Sequence, residues 1–164
     1  MAKILILEDD ATMSDWLQES IERDFVNMNP EVEVLESESE FVLQWVPQFE
    51  KSPKHPPDVI VIDIMLKWTS PARNQPPRPL DAIKGGYVRG GLRCFDLIRN
   101  HHLLSRSHVI LLTILTKNDL DNVLSKEERE AFRRKLEHAE LIHKEKDDGQ
   151  AVLNRIGSAL GRTR

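Results

Sequence analysis

The 164 residues leave room for one domain with a full core, and a second folded domain would be cramped. Apolar residues make up 40% and charged residues 30%, and a net charge of −4 gives no general case for binding nucleic acid or a membrane surface. The single Cys94 excludes an internal disulfide and a cysteine-rich zinc site, and fits a reducing compartment. The apolar run that begins at Ile4 is too short for a signal peptide or a membrane span, so a cytoplasmic location is expected.

In chain order, Ile4-Leu5-Ile6-Leu7 is the first predicted strand, followed by a helix on which Met13, Trp16, Leu17, Ile21 and Phe25 share helical spacing. Glu31 to Leu35 alternates as an edge strand should, and Phe41, Val42, Trp45, Val46 and Phe49 mark the next helix. Val59-Ile60-Val61-Ile62 is the third strand. After a long loop, Leu92, Phe95, Leu97 and Ile98 carry a helix, and Val109-Ile110-Leu111-Leu112 forms the fourth strand. Ser125 and Glu128 make a capping box for a helix with Phe132 and Leu136. Glu140 to Lys144 is a weaker strand, and Asp147 with Gln150 offers a start for a last helix bearing Val152, Leu153, Ile156 and Leu160. Strand–helix repeated five times predicts an α/β fold with an open parallel sheet and helices on both faces. Short aliphatic runs without alternation suit strands covered on each side. Chemistry is then expected beyond the carboxyl ends of the strands.

Those ends are polar. The first strand leads into Glu8-Asp9-Asp10, the third into Asp63, the fourth into Thr113 and the fifth into Lys144. Asp10 is better read as a helix cap. Clustered carboxylates repel one another and call for a cation, and hard oxygen ligands suit Mg²⁺, so Glu8, Asp9 and Asp63 form a candidate magnesium site. Lys144 adds a compact positive charge and Thr113 a hydroxyl donor, a set able to neutralise a phosphoryl group carried on a carboxylate.

The segments Lys3 to Asp10, Pro57 to Leu66, Val109 to Thr113 and Ala139 to Lys144 together resemble the response-regulator receiver family of two-component signalling. The resemblance covers nearly the whole chain as a single receiver domain, 1–164. It implies a flavodoxin-like five-stranded parallel sheet of order 2-1-3-4-5 and a phosphoryl group accepted on Asp63 from a sensor histidine kinase or a histidine phosphotransfer protein. It further implies Mg²⁺ held by Glu8, Asp9, Asp63 and the backbone carbonyl of Met65, with Thr113 as switch hydroxyl and Lys144 as phosphoryl partner. Output would pass to a downstream protein partner, without direct nucleic-acid binding or membrane insertion. The chain would be no turnover enzyme, catalysing only its own phosphorylation and dephosphorylation.

Four features depart from the family pattern. Residues 67–89 form a long insertion with five Lys or Arg, one Asp and four Pro, read either as a partly disordered surface loop or as a basic flap beside the acidic site. Glu145 follows Lys144 where receivers usually have proline with a cis bond; without proline a cis bond costs about 3–4 kcal/mol, so a trans bond or strain is expected. Ile114 follows the threonine where a small residue is common, which could slow either phosphorylation or hydrolysis. Leu141 stands where an aromatic residue often does, so an aromatic switch is not expected. Thr116 is the fallback hydroxyl if the strand runs longer. His101-His102 fits a helix end placed favourably for the helix dipole better than a metal or relay site. A phosphorylation-independent interaction module is the competing function. A magnesium phosphohydrolase finds little support, because the position two residues after Asp63 is Met65 and not a second aspartate.

Overall fold

The computed structural model of the chain describes residues 1–52, 55–69, 76–86, 89–116, 118–119, 122, 124–136, 139–144 and 149–162. Its strands are β1 Lys3–Leu7, β2 Glu31–Leu35, β3 Val59–Asp63, β4 His108–Thr113 and β5 Ala139–His143. All pair in parallel, in the order β2-β1-β3-β4-β5. The three aliphatic runs occupy the interior positions because each is apolar on both faces and must be covered twice. β2, which exposes Glu31 and Glu33, takes an edge as its alternation requires.

The helices divide between the two faces. α1 (Ala11–Asp24) and α7 (Gln150–Arg162) pack Leu17, Ile21, Val152 and Ile156 onto Ile4, Ile6, Val61 and Ile110. On the opposite face lie α2 (Glu38–Glu40), a π-helical stretch (Phe41–Trp45) and α3 (Val46–Lys51), which run on as one helix, together with α5 (Gly90–Asn100) and α6 (Lys126–Leu136). Phe41, Phe49, Phe95 and Ile98 fill that core against Leu5, Leu7, Ile60 and Leu111. Phe41, Trp45 and Phe49 stack in file, with ring centroids 5.6 and 5.2 Å apart. Asp10 caps α1 through Thr12 and Met13. Ser125 and Glu128 close their capping box in both directions, opening α6. Asp147 lies outside the described residues.

One expectation needs correction. β5 begins and ends one residue earlier than the pattern suggested, because Ala139 pairs with Val109 and His143 with Thr113. Lys144 is therefore the first residue beyond the strand, its N–H donating to the Thr113 carbonyl (2.8 Å). His101 sits at the end of α5, as expected, and its Nδ1 accepts from the N–H groups of Leu103 and Leu104 (both 3.3 Å).

Within residues 67–89 the described parts are built into the fold. The Lys67 carbonyl accepts from Glu38 N–H (2.9 Å) and the Trp68 carbonyl from Ser39 N–H (2.8 Å). The Trp68 side chain is buried, its indole N–H on the Pro76 carbonyl, and α4 (Leu80–Gly85) follows. At the far end Arg89 makes a two-pronged pair with Glu128 of α6.

Candidate functional site

Strand order reverses at β1 and β3, since β1 is flanked by β2 on one side and β3 on the other. In an open α/β sheet that reversal opens a crevice at the carboxyl edge. Glu8 and Asp9 leave β1 there, and Asp63 ends β3 beside them. One carboxylate oxygen from each of Glu8, Asp9 and Asp63 lies within 4.8 Å of the others.

Lys144 enters from β5. Its Nζ donates to Glu8 Oε2 at 2.7 Å and stands 3.1 Å from Asp63 Oδ2. Glu8 is only 1% exposed and Asp63 7%, so the ammonium partners two carboxylates that water barely reaches. Burial, and then the charge of Asp63, push the Glu8 carboxyl up to about 7, with Lys144 pulling the other way. Burial also works against the Lys144 ammonium, but Asp63 and Glu8 outweigh it and hold the lysine above its ordinary value. Backbone groups fix the remaining oxygens: Glu8 Oε1 accepts from Asp10 N–H (3.2 Å) and Asp63 Oδ1 from Met65 N–H (3.1 Å). Thr113 is buried at the end of β4, its Oγ1 accepting from Leu115 N–H (2.9 Å), which leaves the hydroxyl hydrogen for donation. Thr116 lies beyond the strand and bonds instead to Asp119. Ile114 and Leu141 are exposed, and Glu145 lies outside the described residues.

Residues that the sequence reading did not single out shape the floor of the site. Gly90 and Gly91 open α5 directly against the β3 end: a Cβ on Gly91 would lie 1.9 Å from the Asp63 carbonyl oxygen, and one on Gly90 2.0 Å from that of Leu66. Only glycine allows this approach. Lys67 reaches Asp9 Oδ2 at 2.8 Å. Arg93, one turn into α5, donates from Nε and Nη2 to the buried Glu38 carboxylate at 2.6 and 2.7 Å. The adjacent glycines were a readable signal for close packing. The Lys67 and Arg93 contacts join residues far apart in sequence and left no local pattern.

Three converging carboxylates suit a hard divalent cation such as Mg²⁺, which takes oxygen ligands and keeps several waters. Glu8, Asp9 and Asp63 fit that requirement.

Compared by sequence, the chain matches no family model and no curated protein. By structure it is similar to a sensor protein from Polaromonas sp. JS666, at a TM-score of 0.60 and 13% identity over 99% of this chain and 98% of that one. It is also similar to response regulator TrrA from Thermotoga maritima, solved in complex with Mg²⁺ and BeF, at 0.54 and 15% over 97% and 99%. The Mn²⁺-bound form of response regulator Rcp1 matches at 0.55 and 18% over 92% and 86%. With its sheet order and its helices on both faces, the chain has the flavodoxin-like fold of response-regulator receiver domains.

Proposed function

We propose that this chain is a phospho-acceptor switch of two-component signalling, working in the cytoplasm and taking its phosphoryl group on Asp63 in a Mg²⁺-dependent reaction. The donor would be the phosphohistidine of a sensor histidine kinase or of a histidine phosphotransfer protein. An Asp63 oxygen attacks phosphorus, the phosphorus–nitrogen bond breaks, and its electron pair leaves with the imidazole, giving an acyl phosphate. Lys144, already against an Asp63 oxygen, turns to a phosphoryl oxygen, and the Thr113 hydroxyl donates to another. Mg²⁺, when held by Glu8, Asp9, Asp63 and the Met65 carbonyl, supplies positive charge to the same oxygens. Water later cleaves the acyl phosphate, so the chain acts on itself and turns over no separate substrate.

The observation that carries this reading is Lys144 spanning Glu8 and Asp63, with Asp9 completing an oxygen cluster at the strand ends. Signalling then runs through protein contacts, as the altered charge at Asp63 shifts the surface around it. A net charge of −4 gives no footprint for nucleic acid, and among the described residues no helix is long and apolar enough to cross a membrane.

Incubation with Mg²⁺ and acetyl phosphate, followed by intact mass, tests the proposal. One phosphoryl adduct on the wild type and none on Asp63→Asn is the expected result. The exposed Leu141, at the position of the usual aromatic switch, favours a second reading, an interaction module that never takes phosphate. Absence of both adduct and Mg²⁺ binding would establish that reading instead.

A further inference from the structure

Lys144 contacts two of the three clustered carboxylates, Glu8 and Asp63. The third, Asp9, has its Oδ2 at 2.8 Å from the ammonium of Lys67, four residues after Asp63. We propose that Lys67 is a resident counter-ion of the acidic cluster, which a divalent cation must displace from Asp9, so that this side chain sets how tightly the site takes its metal. The inference rests on the metal site of the proposed function and adds a residue to it.

The two lysines are built differently. Lys144 is 16% exposed and locked between its partners, whereas the Lys67 side chain is 59% exposed. The Lys67 main chain, by contrast, is pinned: its carbonyl and that of Trp68 accept from Glu38 and Ser39, and the Trp68 side chain is buried. A fixed Cα with a flexible four-carbon stem gives the ammonium two places, on Asp9 or in water. It cannot drift away from the site, so its charge stays near any cation that arrives. Asp9 and Lys67 hold each other by a hydrogen bond and by charge, which raises the lysine above its ordinary value.

Removing this charge relieves the entering metal of one competitor and one repulsion. For a largely exposed pair the gain is modest, about three- to tenfold in affinity at low ionic strength, and it fades as salt screens it.

The test is Mg²⁺ titration by calorimetry on wild type, Lys67→Met, Lys67→Arg and Lys84→Met, each shown to be folded by circular dichroism. Lys84 lies exposed on α4 and controls for overall charge. Lys67→Met should bind Mg²⁺ about three- to tenfold more tightly, the gain shrinking in 0.5 M salt, while Lys67→Arg and Lys84→Met stay within about twofold of wild type. Equal affinity in wild type and Lys67→Met overturns the inference, as does a Lys84→Met gain as large as that of Lys67→Met. Failure of wild type and Lys67→Met alike to bind Mg²⁺ removes the metal site itself, and the proposed function with it.

Discussion

Replacing Arg93 with methionine strands the Glu38 carboxylate. Glu38 is 2% exposed and accepts two short hydrogen bonds from the guanidinium, at 2.6 and 2.7 Å. Each charge-assisted bond contributes about 1.5–3 kcal/mol, and breaking a buried ion pair from one side costs about 3–5 kcal/mol. Arg93 retains some exposure (19%), so water can reach part of the gap, and the lower figure of about 3 kcal/mol is expected. Removing both partners, as Glu38→Leu with Arg93→Met, leaves no unpaired charge and should cost about 1 kcal/mol. Urea unfolding of the wild type, both single variants and the double variant measures the cycle, with an unchanged slope required for the comparison. The Glu38 and Ser39 amides, which donate to Lys67 and Trp68, should also exchange faster in Arg93→Met. A loss below about 1 kcal/mol in Arg93→Met, or a double variant as unstable as the two singles summed, would refute the claim that this pair clamps residues 67–68 to the core.

Glu8 gives a pH dependence whose sign is opposite to that of most carboxylates. Its carboxyl stands at about 7 in the folded, metal-free protein against 4.5 in the unfolded chain, mainly through burial and then through Asp63. The folded state therefore holds the proton more tightly, and stability falls as pH rises from 4.5 to 7, by roughly 2–3 kcal/mol, levelling off above. Glu8→Gln should flatten this slope in thermal melts run in EDTA between pH 5 and 8, and identical slopes in the two proteins would contradict the assignment. Gly91→Ala places a Cβ 1.9 Å from the Asp63 carbonyl oxygen, so α5 or the β3 end must move, at a cost of about 2 kcal/mol or more. Gly161→Ala, with open space around it, is the neutral control. A Gly91→Ala melting point within about 2 °C of wild type would show that the contact yields freely.

The sheet was legible in the sequence because its physics is local. Val59 to Ile62 can be satisfied only by helices on both sides, and Glu31 to Leu35 only by an edge. The polar strand ends were legible for the same reason, each being the residue at which a buried run stops. What escaped was set by contacts across the chain. Lys67 reads as one more basic residue of a polar loop until Glu38 and Ser39, on another element, fix its backbone and bring it to Asp9. The Glu38–Arg93 pair spans 55 residues, and neither partner departs locally from an ordinary helix residue. The start of β5 slipped by a residue because pairing with β4, not the apolar pattern of a half-exposed strand, sets its register.

Charge balance connects the two lysines to the proposed chemistry. Fully ionised, the three carboxylates face two ammonium groups, and one negative charge is left over. In the metal-free protein the Glu8 carboxyl, pushed up to about 7 by burial first and then by the charge of Asp63, relieves part of that excess by keeping its proton. A dication reverses the excess to a single positive charge. Phosphorylation then turns the Asp63 carboxylate into a group of about −2, as for other phosphorylated side chains, and the cluster with both lysines and one dication becomes neutral. With Lys67 absent the same phosphorylated site would carry one negative charge in a crevice that excludes most water. The lysine that opposes the metal in the resting state therefore favours the charged product once the phosphoryl group has arrived. That pairing of effects separates Lys67 from a surface cation with only a resting-state contact: its loss should tighten Mg²⁺ and yet shorten or weaken phosphorylation of Asp63.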